Sequence, residues 1–355
     1  MAKAPEDIIR EEVLALAGYH VPDPAGMVKL DAMENPYRLP EDVRGHIARI
    51  VAQAEINRYP DASASRLKER LRATLHIPEG VELILGNGSD EIIQMLILAM
   101  ARPGATILGL EPSFVMFRLV ASFCGMRYVG VPLAADFTLD AERTVETMQE
   151  HEPALVFIAY PNNPTGNLFE DAAIERVIAA APGVVVIDEA YFAFAGRSYM
   201  DRLAGCPNLL VMRTLSKSGL AGLRLGLLAG SGEWLRHVDK IRLPYNVSVL
   251  TQLVAEEVLQ HDALLQEQAA AIKAERARLY RALKETPGTT PFPSDANFIL
   301  FKTDAAERTF NGLKQRGVLI KNLHGSHAAL ENCMRVTVGT GAENDCFLAA
   351  LRQSL

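Results

Sequence analysis

Cysteine is scarce in this chain: 355 residues contain only Cys124, Cys206, Cys333 and Cys346, with no C-x-x-C pair and no histidine at zinc-finger spacing. That pattern fits unpaired, buried thiols in a reducing cytoplasm better than a disulfide framework. No apolar run approaches the ~18 residues of a membrane span, so no membrane partner is expected. The opening MAKAPEDIIREEVLALAG is too acidic for a signal peptide. Positive charge is short as well: 36 Lys+Arg against 43 Asp+Glu leave a formal charge of −7. An acidic balance argues against nucleic acid or an anionic bilayer, both of which select basic faces. Repeats and low-complexity tracts are missing too. With 49% hydrophobic residues a large core is available, which excludes disorder as the general state.

What is present is a regular alternation. Short apolar runs at 82–85, 106–110, 127–131, 155–160, 184–188, 209–214 and 225–229 predict strands. Between them, stretches such as 90–101, 114–124, 139–150 and 170–180 carry apolar residues at three- and four-residue spacing and predict helices. The pattern predicts an α/β fold, a mostly parallel sheet covered by helices on both faces. VVVI at 184–187 is apolar on both parities, as a doubly covered strand requires. Beyond about Asp262 a long helical run, a PGTTPFPSD break, and further strands near 297–302, 318–321 and 334–338 predict a smaller α+β domain. The expected division is an arm and part of the small domain over 1–45, a large domain over 46–262, and the small domain over 263–355.

Four polar clusters follow predicted strands: GNGSDE (86–91), PNNPTG (161–166), DEAY (188–191) and SKSGLAGLR (216–224). Ligands of open parallel sheets bind outside the carboxyl ends of the strands, so all four are expected at one site. Gly86 and Gly88 permit a tight turn, and Ser89 suits an N-cap whose free N–H groups would attract an anion. Glu91 stands where a dinucleotide-binding G-x-G-x-x-G would need its third glycine, which excludes that motif. Asn163 would present a carboxamide from a turn between two prolines. Asp188 ends a buried strand, and a carboxylate there is costly without a cation or strong donors. Tyr191 offers a phenol to the same crevice. Lys217 sits among small residues, where partial desolvation would make its amine a carbonyl nucleophile. Arg224 reads as an anion fork or as half of a structural ion pair. A cofactor lysine with a buried aspartate is the signature of pyridoxal phosphate chemistry.

On these residues the chain resembles the aspartate-aminotransferase-like family of pyridoxal-phosphate enzymes of fold type I. The likeness is carried by LDAMENPY (30–37), NRYPD (57–61), GNGSDEII (86–93), EPSFVMF (111–117), PNNPTGN (161–167), VVVIDEAYFAF (184–194), RTLSKSGLAGLRLG (213–226), NFILF (297–301) and MRVTVGT (334–340). NRYPD, FVMF and MRVTVGT narrow it to the histidinol-phosphate branch. The resemblance implies that Lys217 holds pyridoxal 5'-phosphate and shuttles the proton. It implies that Asp188 pairs with the pyridine nitrogen, and that Asn163 and Tyr191 bond the phenolic oxygen. Ser89, Asp90, Ser216 and Arg224 would cradle the phosphate, and Phe114 would stack on the ring. Tyr59 would reach the phosphate of a neighbouring subunit, implying a homodimer with shared sites. Arg335 would bind the substrate's anionic group, with Lys321, Tyr19 and Asn35 also at the substrate. The implied reaction is transamination between L-histidinol phosphate and 2-oxoglutarate. A threonine-phosphate decarboxylase or a broad aromatic or aspartate aminotransferase of the same fold is the alternative, and a non-catalytic cofactor-binding regulator carries little weight. Two departures stand out: the Lys217–Arg224 segment is one residue shorter than the common form, and Lys321 replaces a frequent second arginine.

Overall fold

The structure, a computed structural model, describes residues 3–16, 18 and 21–355. Seven strands form the principal sheet: β1 (Glu82–Asn87), β2 (Thr106–Glu111), β3 (Arg127–Pro132), β4 (Leu155–Ala159), β5 (Val184–Asp188), β6 (Leu209–Thr214) and β7 (Leu225–Gly230). Their order is β1-β7-β6-β5-β4-β2-β3. The pairs among β2 to β6 are parallel, and β7 alone runs antiparallel, to both β1 and β6. The reason is length. Only Leu215–Arg224 joins β6 to β7, too short for the crossover of a dozen or more residues that a parallel neighbour needs. So β7 starts at the edge where β6 ends, and Arg224 is delivered beside the carboxyl ends of the other strands.

Helices cover both faces, and the side chains of β5 sort between them by parity. Val184 and Val186 pack with Phe157 and Leu210, while Val185 and Ile187 pack with Ile158 and Val211 in the opposite core. A second sheet is antiparallel throughout, in the order β10-β11-β9-β8: β8 is Thr289–Pro291, β9 Phe298–Thr303, β10 Lys321–Asn322 and β11 Cys333–Thr337. The long helix Asp262–Glu285 lies against it. Val28–Lys29 pairs in parallel with Val318–Leu319, and Leu30 and Met33 enter the same core as Phe298 and Val336. The segment 30–36 is thereby held against the site described below.

No cysteine is paired, as expected, but burial is uneven: Cys333 is buried, Cys124 and Cys206 are half-buried, and Cys346 is exposed. Cys346 falls on the outer face of helix Gly341–Arg352, whose packed positions are Phe347, Leu348 and Leu351. Among the described residues no helix is long and apolar enough to cross a membrane, and no cluster of His, Cys, Asp and Glu could hold a metal ion.

Candidate active site

The four polar clusters converge on one pocket at the carboxyl edge of the principal sheet. It is lined by Lys217, Asp188, Tyr191, Asn163, Ser89 and Asp90, together with Phe114, Ser216 and Arg224. Met33, Ala159, Ala190 and Thr214, which the sequence did not single out, complete the wall.

Lys217 rides on a short 3-10 turn (Leu215–Ser218) fastened to β6 by Thr214, whose hydroxyl accepts the Ser216 N–H at 3.2 Å. Its ammonium donates to the Ala32 carbonyl at 3.1 Å. Burial, aided by the Arg335 cation, lowers the amine from 10.5 to about 8. Asp188 ends β5. Burial of its carboxylate raises it to about 7, against the pull of the Ala190 N–H on Oδ1 at 3.0 Å. Its second oxygen makes no hydrogen bond among the described residues. An acid held this way is satisfied by a cationic or N–H partner, and the pocket is where that partner must sit. Burial also pushes the Tyr191 phenol up.

Helix Ser89–Met100 aims its first turn at the pocket. Serine was the expected N-cap, but Gly88 holds that position, with φ +81°. Only glycine enters that backbone region freely, and a Cβ there would collide with the Arg224 guanidinium. Ser89 therefore keeps its hydroxyl for the pocket. Arg224, itself at φ +50°, reaches Asp90 Oδ2 at 3.1 Å and the Ser216 hydroxyl at 3.5 Å. The shortened loop thus still delivers the guanidinium to the helix N-terminus.

A larger chamber adjoins this pocket and shares Met33, Phe114 and Asn163 with it. Arg335 and Lys321 both line it, and they are direct cross-strand partners on β11 and β10, which puts two cations on one face. Arg335 is buried; it bonds the Asn163 carboxamide oxygen and donates to the Asp31 carbonyl at 3.1 Å. With its oxygen taken, Asn163 keeps its NH2 group as a donor.

The remaining expected residues lie elsewhere. Asn35 lines a separate cleft: its NH2 donates to Gln268 Oε1 at 2.9 Å and its oxygen accepts the Tyr37 N–H at 2.8 Å. Tyr59 is 80% exposed on the surface, stacked on Tyr245 at 4.3 Å. Tyr19 falls outside the described residues. Reading the sequence also missed a fully buried ion pair behind Asp188. Glu189 takes the Arg213 Nε at 2.9 Å, and Arg213 also reaches the Ser198 hydroxyl and lies 4.5 Å from the Phe192 ring centroid. The signal was there, as charges inside the otherwise apolar runs VVVIDE and LLVMRT.

Residues 25–351 match the family Aminotransferase class I and II. The chain is 52% identical to "Histidinol-phosphate aminotransferase 2" of Cupriavidus pinatubonensis, over 99% of this chain and 97% of that one. It is 49% identical to the histidinol-phosphate aminotransferase of Chromobacterium violaceum, over 98% of each. Among solved structures, a histidinol-phosphate aminotransferase from Sinorhizobium meliloti in complex with pyridoxal-5'-phosphate superposes with a TM-score of 0.86 at 24% identity, covering 98% of this chain and 97% of that one. The chain belongs to aminotransferase class I and II and is a pyridoxal-phosphate-dependent aminotransferase.

Proposed function

We propose that this aminotransferase exchanges the amino group between L-histidinol phosphate and 2-oxoglutarate, in two half-reactions at one site, as a step of histidine biosynthesis in the cytoplasm. The carrying observation is that Lys217 and Asp188 share a buried pocket that opens onto a chamber holding two cations. The residues fit the cofactor. Asp188 has an oxygen in need of a partner, the Lys217 amine is partly deprotonated, and a helix N-terminus with Arg224 awaits an anion.

Bound pyridoxal phosphate supplies an electron sink for the carbanion formed next to the substrate's amine. Lys217 would hold the cofactor through its amine; once displaced by substrate, the same amine would take the proton from the substrate's Cα and deliver it to the cofactor carbon that carries the transferred nitrogen. Asp188 keeps a proton on the ring nitrogen, where its desolvated carboxylate gains a charged partner. Tyr191 and the Asn163 NH2 would donate to the ring's phenolic oxygen, and Phe114 would pack against the ring. Ser89, Ser216, Arg224 and the amides of Ser89 and Asp90 take the 5'-phosphate. Arg335 offers a fork suited to either a phosphate or a carboxylate, so one residue serves both half-reactions, and Lys321 adds a point charge beside it.

The exposed stack of Tyr59 on Tyr245, with Ile56 and Leu243 also exposed nearby in sequence, supports assembly as a homodimer in which Tyr59 serves the other copy's phosphate site. The test is direct: purified holoenzyme given L-histidinol phosphate and 2-oxoglutarate should form glutamate one for one. Carbon dioxide release from threonine phosphate, with no glutamate formed from L-histidinol phosphate, would replace the transaminase reading with a decarboxylase. Lys217→Ala should abolish turnover, and a variant working at wild-type rate would contradict the assignment.

A further inference from the structure

The chamber beside the cofactor pocket carries polar groups that the chemistry above leaves unused. Gly109 of β2 and Gly130 of β3 are direct neighbours. Neither has a side chain, and the space is occupied instead: a Cβ at Gly109 would strike the Tyr128 hydroxyl, and one at Gly130 the Glu111 carboxylate. Arg118 bonds Oε1 of Glu111 through Nε at 2.9 Å and through Nη2, and its guanidinium lies 4.8 Å from the Tyr128 ring centroid. Oε2 of Glu111 makes no hydrogen bond among the described residues, and neither does the Tyr128 hydroxyl. Burial pushes that phenol up, so it stays protonated and able to donate. His327 accepts the Ala329 N–H on Nδ1 at 3.1 Å, which leaves its proton on Nε2, 3.9 Å from Glu111 Oε2. All of these side chains line the same chamber as Arg335 and Lys321.

A neutral imidazole offers one N–H donor and one nitrogen acceptor. Oε2 of Glu111 is an open acceptor, its Oε1 being held by Arg118, and Tyr128 is a donor beside it. The carboxylate already draws an imidazole of this chain, His327, to within 3.9 Å. We propose that Glu111 and Tyr128 form the subsite for the substrate's imidazole ring, the ring N–H donating to Glu111 Oε2 and the other nitrogen accepting from the Tyr128 hydroxyl. Arg118 is a positioning residue that fixes the carboxylate through its other oxygen. The subsite rests on the reading of L-histidinol phosphate as substrate. It gives the enzyme a means of preferring that amine over phosphates of the same charge that lack the ring.

The experiment compares kcat/KM of the holoenzyme for L-histidinol phosphate with that for L-alaninol phosphate, the same amino-phosphate without the ring. Losing one member of a charged hydrogen bond should lower the ratio roughly ten- to hundredfold in Glu111→Gln, mostly through KM. Tyr128→Phe removes a single oxygen and should lower it about tenfold, which keeps the test available if Glu111→Gln does not fold. General damage to the fold lowers both substrates together and leaves the ratio alone. An unchanged ratio in a folded variant overturns the subsite while wild-type turnover of L-histidinol phosphate preserves the transaminase reading. A wild-type enzyme that does not turn over L-histidinol phosphate overturns both.

Discussion

Lys217 should cost the apoenzyme stability, so Lys217→Met should make the cofactor-free protein more stable while ending its activity. The amine falls from 10.5 to about 8 on folding. At ~1.4 kcal/mol per tenfold change in proton affinity, this is a penalty of roughly 3 kcal/mol for keeping the ammonium buried. Against it stands the bond to the Ala32 carbonyl at 3.1 Å, worth about 2 kcal/mol because its donor is charged. Methionine fills similar volume without charge, so the net gain should be about 1 kcal/mol, or about 1–2 °C in Tm for a chain of this size. The sign with pH follows from the lowered value. Below pH 8 the lysine is charged in both states and the penalty is complete; between pH 8 and 10.5 the folded state sheds its proton first and the penalty shrinks; above 10.5 it vanishes. Thermal melts of cofactor-stripped wild type and variant, at matched concentration and across that range, check it. Adding cofactor should reverse the ranking, because only wild type can attach it. A variant that melts below wild type at pH 7, or a gap that stays constant from pH 8 to 10.5, would refute the reasoning.

Other consequences are equally open to measurement. Asp188→Asn should lower kcat by at least about a hundredfold, because an amide cannot stabilise a protonated ring nitrogen as an anion does; steady-state rates with saturating cofactor check this. Arg335→Met removes a cation that lowers the Lys217 amine, so the rise of cofactor attachment rate with pH, centred near 8 in wild-type apoenzyme, should move to higher pH. A profile that does not move would mean the two charges are uncoupled. Glu189→Gln leaves Arg213 charged and buried, and should cost about 3–5 kcal/mol in urea denaturation; a loss under about 1 kcal/mol would contradict that pairing. Mixing Tyr59→Ala with Lys217→Ala subunits should restore up to about a quarter of wild-type activity, since half the dimers would be hybrids with one complete site of two. No gain on mixing would mean Tyr59 does not act across an interface.

Much of this was legible because strand burial and strand ends leave plain marks. VVVI could only be a doubly covered strand, and the residue that ends it, Asp188, could only be a ligand or an error. PNNPTG was recognisable as a site turn, yet its two asparagines look alike in sequence. The structure separates them: Asn162 is spent holding Pro112 and Thr165, whereas Asn163 faces the pocket. The N-cap could not be assigned from residue preference, because the demand on Gly88 comes from Arg224, far away in the chain. The buttressing carbonyls of Asp31 and Ala32 were invisible too. Backbone acceptors have no sequence signature, and it is the pairing of Val28–Lys29 with Val318–Leu319, with the bonds of Thr337 to Leu30 and of Asn297 to Met33, that brings that segment over the site. Glu111 and Tyr128 were likewise hidden, since their partnership depends on two glycines meeting across β2 and β3.

Borohydride reduction of the holoenzyme, followed by digestion and mass spectrometry, tests the centre of this account. The pyridoxyl mass should be found on Lys217, at one per chain, and should be lost in Lys217→Ala. Label on any other lysine, or none at all, would contradict it.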